Sequence, residues 1–136
     1  MKVELKVEQV MLNVGQVPVM GPEVLFRDAL EAMSKARLGM VLVVDSEERL
    51  LGVLTDGDVR RILLRTQKPL AALFMEDVSG YMVESPTTIR PGDRLEDGIE
   101  LMGEKQIWDL PVVTHDGFLK GLLHLHPAIK ILLERK

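Results

Sequence analysis

Apolar positions along the chain follow two kinds of spacing, and the two alternate twice. Leu25, Phe26, Ala29, Leu30, Met33 and Ala36 recur three and four residues apart, which predicts a helix with one apolar stripe. Gly39 interrupts that stripe, and Met40-Val41-Leu42-Val43-Val44 is a short β-branched run suited to a buried strand. Asp45-Ser46-Glu47-Glu48 turns the chain, Leu50 to Leu54 supplies a partner strand, and Asp58 to Leu64 predicts a second helix with Val59, Ile62 and Leu63 facing inward. The same order then returns. Leu95, Ile99, Leu101 and Met102 mark a helix, Leu110-Pro111-Val112-Val113 a strand, His115-Asp116-Gly117 a turn, and Leu119 to His124 a second strand. A closing helix starts at Pro127, where the missing N–H costs no hydrogen bond.

The recurrence is an internal repeat. At an offset of 69 residues Asp28 falls on Asp97, Met33 on Met102, Val43-Val44 on Val112-Val113, Gly52 on Gly121, Leu54 on Leu123, and Ile62-Leu63-Leu64 on Ile131-Leu132-Leu133. Ahead of the helices the register slips by two, so that Met11 matches Met82, while Pro18-Val19-Met20 loosely matches Thr87-Thr88-Ile89. Residues 1–68 therefore read as the first repeat, 69–79 as a connector and 80–136 as the second. Leu70, Ala71, Leu73 and Phe74 make the connector a short helix rather than a loose linker. A unit of about 60 residues buries too little surface to stand comfortably alone. The expected fold class is α/β in the broad sense, an α+β module of two pseudo-twofold-related β-α-β-β-α repeats packed through their sheets, with two related clefts.

Composition narrows the chemistry. The 136 residues are 46% hydrophobic and 28% charged, as in soluble globular proteins. A formal charge of −4 offers no field for a phosphodiester backbone, so nucleic acid is not an expected partner. The absence of cysteine removes disulfides and thiolate metal sites and suits a reducing cytoplasm. The opening MKVELKVEQVML alternates charge with apolar residues unlike a signal peptide, and no apolar run approaches the roughly 20 residues that span a bilayer. A cytoplasmic chain with no membrane contact is the expectation.

The duplication, the element order, and the segments GVLTDGDVRR (Gly52 to Arg61) and IWDLPVVTHDGFLKGLLHLHPAIKILL (Ile107 to Leu133) together resemble the tandem CBS domain pair, over about Val10 to Leu133. Within that family the wording is similar to pairs appended to arabinose-5-phosphate isomerases and sugar nucleotidyltransferases. The resemblance implies a regulatory module, not an enzyme, with no required cofactor; adenine or cytidine nucleotides or a sugar nucleotide are the implied ligands. It also implies a homodimer formed through helices, here through the apolar faces of Leu25 to Ala36 and Leu95 to Met102, and an attached or associated sugar isomerase or nucleotidyltransferase.

Thr55 and Asp58 stand at a strand-to-helix junction, where first-turn N–H groups can meet a phosphate. Two readings of them stay open. Thr55 or Asp56 caps the helix while Gly57 eases the turn; or Asp58 accepts a ribose diol while Thr55 and the amides take the phosphate. For the second reading the resemblance adds Val53 as floor, Pro86, Thr87 and Thr88 as an edge for the base, and Trp108 and Asp109 near the phosphate. Many relatives carry Arg or His at the last two positions, and an acid there repels phosphate. Arg61, with Arg60, is then the available cation; Arg37 and Lys105 come second. Trp108 either stacks on a ligand or packs in a core.

In the second repeat Thr55 and Asp58 are replaced by His124 and Pro127, so the matching cleft, with His124, His126, Val19 and Met40, is degraded. The spacing of His124 and His126 places both on one strand face, but with no third ligand a metal site is not expected. The alternative function is a dimerisation or interaction domain that binds no ligand. Catalysis has no support: there is no cysteine, and no nucleophile-base set or carboxylate pair is readable from spacing.

Overall fold

The computed structural model describes residues 4–134. Met1–Val3, which begin the alternating opening segment, lie outside the described residues, as do Arg135, Lys136 and the side chain of Leu132. In chain order the elements are β1 (Leu12–Asn13), β2 (Val19–Met20), α1 (Phe26–Ala36), β3 (Met40–Val44), β4 (Leu50–Thr55), α2 (Asp56–Arg65), α3 (Leu70–Phe74), α4 (Leu95–Lys105), β5 (Asp109–Val113), β6 (Leu119–His124) and α5 (Leu125–Glu134). They form two units, residues 15–86 and residues 1–14 with 87–136.

In the unit of residues 15–86, β2 runs parallel to β3 and β3 pairs antiparallel with β4, with Leu42 opposite Val53. Helix α1 lays Phe26, Ala29 and Met33 onto Val41, Val43 and Leu54, and Leu73 of the short connector helix joins that core. Leu42 and Val53, on the other sheet face, are buried too. With both faces of β3 covered, its sequence shows a continuous apolar run instead of an alternation. The connector is tied down by Lys68, whose Nζ lies 2.7 Å from Glu76 Oε1, and by the Tyr81 hydroxyl, which donates to Glu76 Oε2. The Tyr81 ring meets Phe26 edge-on at 5.3 Å.

The other unit is built alike, with strand order β1-β6-β5, antiparallel throughout. Its core is Val7, Val10, Ile89, Leu95, Met102, Leu110, Val112, Leu123 and Ala128. Ile89 bridges to Val112 as Met20 pairs with Val43 in the first unit, which bears the repeat offset out at the level of register.

The spatial units do not follow the linear repeats. The segment that opens the chain pairs with the second repeat's hairpin, Leu12 opposite Leu122. The segment after the connector pairs with the first repeat's hairpin, Val53 and Val83 exchanging N–H···O bonds of 3.0 and 2.7 Å. Glycine makes each crossing possible. A Cβ on Gly121 would stand 2.3 Å from the Leu12 carbonyl oxygen, and one on Gly52 2.6 Å from that of Val83. Met11 and Met82 close over the same two glycines, which explains why the two methionines matched in sequence.

Four expectations are corrected. Leu63 does not face inward; it is 48% exposed, because the face of α2 that meets the core is centred on Val59 and Ile62 and leaves Leu63 at its edge. The closing helix starts at Leu125, so Pro127 sits inside the first turn, where its missing N–H is still harmless. That start also separates the histidines: His124 ends β6 and His126 lies on α5, so they do not share a strand face. Finally, Phe26, Ala29, Met33, Leu95 and Met102 lie in the unit cores, so the apolar stripes of α1 and α4 are not open dimer faces.

Candidate functional site

The junction of β4 and α2 is built from the end of a paired strand. Thr55, opposite Met40, is the last residue of β4, and its extended backbone leaves it at the N-cap of α2. Thr55 Oγ1 accepts from the Asp58 amide at 3.1 Å, and Asp58 Oδ2 accepts from the Thr55 amide at 3.1 Å. This reciprocal pair satisfies donors that a helix start otherwise leaves open. The capping reading of Thr55 is therefore correct as far as it goes. Asp58 Oδ1 in turn accepts from Arg61 Nη2 at 2.8 Å, with the carboxylate side chain 16% exposed. Partial burial works against its ionisation, but the hydrogen bonds from Arg61 and Thr55 outweigh it and hold the carboxyl below its usual range. The Arg61 guanidinium lies over Gly57, 3.3 Å from where a Cβ would stand. A cation is thus held over the first turn of the helix, beside its amides.

The equivalent junction in the second repeat is different in chemistry. His124 replaces Thr55, and its Nδ1 lies 2.6 Å from Asp109 Oδ1, across the β5–β6 ladder. The two atoms are within hydrogen-bond distance. Asp109 is 7% exposed, its side chain buried and turned to the imidazole. Trp108 beside it is 67% exposed and is not a core residue. Trp108, His124 and His126 line one cavity of about 460 Å³. Among the described residues no group of three or more acidic or histidine side chains is placed to hold a metal ion.

The sequence-selected residues thus fall in two sets. Val53, Thr55, Asp58, Arg61, Val19, Met40 and Pro86 belong to the unit of residues 15–86, and Thr87, Thr88, Trp108, Asp109, His124 and His126 to the other. Thr88 lines a shallow depression with Asp93, Asp97, Glu100 and Glu104, an acidic surround that does not suit an anion. The pairing of Asp109 with His124 was missed from the sequence. Its signal was the hairpin register: Leu110 opposite Leu123 puts Asp109 opposite His124.

Two β-β-α units in tandem, each ending in a strand that hands directly into a helix, and one of them capped by Thr and Asp, define a duplicated α+β module. The chain belongs to the CBS domain family, whose model matches residues 7–65 and 76–126. Arabinose 5-phosphate isomerase KdsD of Salmonella typhimurium is 29% identical over 129 residues, covering 95% of this chain and 38% of that protein. The probable arabinose 5-phosphate isomerase of Haemophilus influenzae is 32% identical over 108 residues, covering 79% of this chain and 31% of that protein. The chain therefore spans about a third of the length of the curated relatives it matches. Among solved structures it is similar to CBSX2, a CBS-pair protein from Arabidopsis thaliana. The CBSX2 complex with AMP has a TM-score of 0.83 and 29% identity, over 95% of this chain and 96% of that one. Among the described residues no helix is long and apolar enough to cross a membrane.

Proposed function

We propose that this CBS pair is a regulatory binding module for an adenine or cytidine nucleotide or a sugar nucleotide, held at the start of α2, and that it performs no catalysis. The observation that carries the reading is the grouping of Thr55, Asp58 and Arg61 on one helix start. There a hydroxyl, first-turn amides and a guanidinium are suited to a phosphate, and a carboxylate that stays ionised is suited to a ribose diol. The resemblance to CBSX2, solved with AMP, supports a nucleotide as the class of ligand. Val53 and Pro86, in the same unit as Thr55 and Asp58, are the further contacts, while Asp109 is buried against His124 and does not act on the ligand. The similarity to KdsD supports a sugar-phosphate isomerase as the attached or associated partner. A ligand regulates such a partner only by binding two conformations of the module unequally.

A second reading, an interaction domain that binds nothing, is favoured by two observations. Both Asp58 oxygens already have partners within the chain, and Leu63 and Leu64 of α2 are open, the latter 81% exposed. Those two leucines, not the stripes of α1 and α4, are the proposed face for a second copy.

A thermal-shift screen separates the readings. A ligand that binds only the folded state stabilises it by about 2.7 kcal/mol at a hundredfold excess over Kd. A nucleotide or sugar nucleotide at millimolar concentration should raise the Tm of the natural chain, and should raise that of Asp58→Ala much less, each measured against its own ligand-free Tm. No shift across the panel leaves the interaction domain as the function. Turnover of a pentose phosphate would overthrow the non-catalytic part.

A further inference from the structure

Trp108, His124, His126, Ile129, Lys130 and Leu133 enclose the cavity of about 460 Å³ in the unit of residues 1–14 and 87–136. That volume is within the range of small-ligand sites, roughly 300–1,000 Å³. Its chemistry is one-sided. Trp108 lines this cavity and also a neighbouring one of about 610 Å³, so its indole is reachable where it would normally be buried. Ile129 and Leu133, one helical turn apart on α5, continue the apolar wall, and His126 and Lys130 occupy the positions beside them on the same helix face. The lining carries no carboxylate or amide side chain, although the chain as a whole is acidic, with a formal charge of −4. The nearby acid, Asp109, is buried and bonded to His124.

We propose that this pocket is a second, separate binding site, for a flat aromatic ring bearing one anionic group. The ring stacks on Trp108 and packs against Ile129 and Leu133, and the anion is met by Lys130 and His126. With no carboxylate to accept a diol, the pocket is unlike the Thr55–Asp58 junction and does not suit a nucleoside's sugar. At the matching positions of the first repeat stand Gly39 for Trp108 and Arg60 for Ile129, so that repeat has no such apolar platform. The site goes beyond the nucleotide reading and survives if that reading fails.

Trp108 is the chain's single tryptophan, so its fluorescence reports the pocket directly. Excited at 295 nm, where the probes do not absorb, it should be quenched saturably by benzoate or phenyl phosphate. Benzyl alcohol, acetate and inorganic phosphate should act at least about tenfold more weakly, since each lacks the ring or the charge. The two anions decide between carboxylate and phosphate as the charged group. His126→Ala with Lys130→Gln, both at exposed positions, should weaken quenching about tenfold, as expected for a lost charge-assisted hydrogen bond, with an unchanged melting curve. Thr55→Ala and Asp58→Ala should leave it unaltered. Absence of quenching by either ring anion overturns the proposal. So does quenching lost with Asp58, which would assign the ligand to the first junction, or an emission blue shift on concentrating the protein alone, which would put a second copy over Trp108.

Discussion

The starts of α2 and α5 occupy the same place in their repeats, yet they are secured by different means. At α2 the cap is local: Thr55 and Asp58, three residues apart, satisfy each other's amides, and Arg61 closes the group from one turn further on. At α5 the bond runs across the sheet instead, from His124 to a buried Asp109 fifteen residues earlier, and Pro127 has no N–H to satisfy. A local cap leaves its hydroxyl, carboxylate and cation at the surface of the helix start. A cross-strand pair draws its acid inward. The first repeat's junction thus presents a hydroxyl, a carboxylate and a cation, whereas the second repeat's pairs an imidazole with a buried acid beside the cavity that Trp108 lines.

What the two repeats share should be the most sensitive feature of either. Gly52→Ala and Gly121→Ala each drive a Cβ into a backbone carbonyl, at 2.6 and 2.3 Å, and each should cost on the order of 3 kcal/mol or fail to fold. Urea denaturation measures both, and a mild effect at either position would mean that the crossing segment is not held as described.

Next in size are the junctions themselves. His124→Ala takes the imidazole from a buried carboxylate and should cost about 1–3 kcal/mol. Thr55→Ala loses an exposed-side cap worth about 1 kcal/mol. If chemical denaturation ranks them the other way, the second junction is not the more deeply built one.

Acid distinguishes them further. The Asp58 carboxyl is lowered in the folded chain from an ordinary 3.8, so its contribution is present above that value and is lost as pH falls through the lower folded one. Asp58→Asn should therefore be less stable than the natural chain at neutral pH, with the gap closing below about pH 4. A gap that persists at pH 2 in thermal melts would show that the ionised Asp58 is not what holds the cap.

The smallest expected effects lie in the hairpin turns, where Glu48 has φ +69° and its counterpart Gly117 has φ +91°. Glu48→Gly should be neutral or stabilising by up to about 1 kcal/mol, and Gly117→Ala destabilising by about 1 kcal/mol. Opposite signs in a pair of melting curves would confirm that the repeats share a turn and differ only in the residue that fills it.

The helices and hairpins were legible because their apolar spacing is local. The run at Met40–Val44 and its copy at Leu110–Val113 each declare a strand within five residues. The exchange of opening segments was not legible. Leu12 and Asn13 make a two-residue strand whose partner lies over a hundred residues away, too short for any periodicity to show. Its trace in the sequence is the matched pair of glycines, Gly52 and Gly121, whose physical reason is the carbonyl that passes over each of them. Thr55 and Asp58 were found because a cap is written in neighbouring residues. Asp109 and His124 needed a register, and the two histidines were misassigned because β6 ends one residue before His126's helix begins.

On the proposed reading the first repeat's junction binds a nucleotide and the second repeat's does not. Isothermal titration of the natural chain, Asp58→Ala and His124→Ala with the panel of adenine and cytidine nucleotides and sugar nucleotides tests it most directly. One ligand per chain is predicted, with affinity lowered at least about tenfold by Asp58→Ala and little changed by His124→Ala. Two ligands per chain, or binding that survives Asp58→Ala and disappears with His124→Ala, would contradict it.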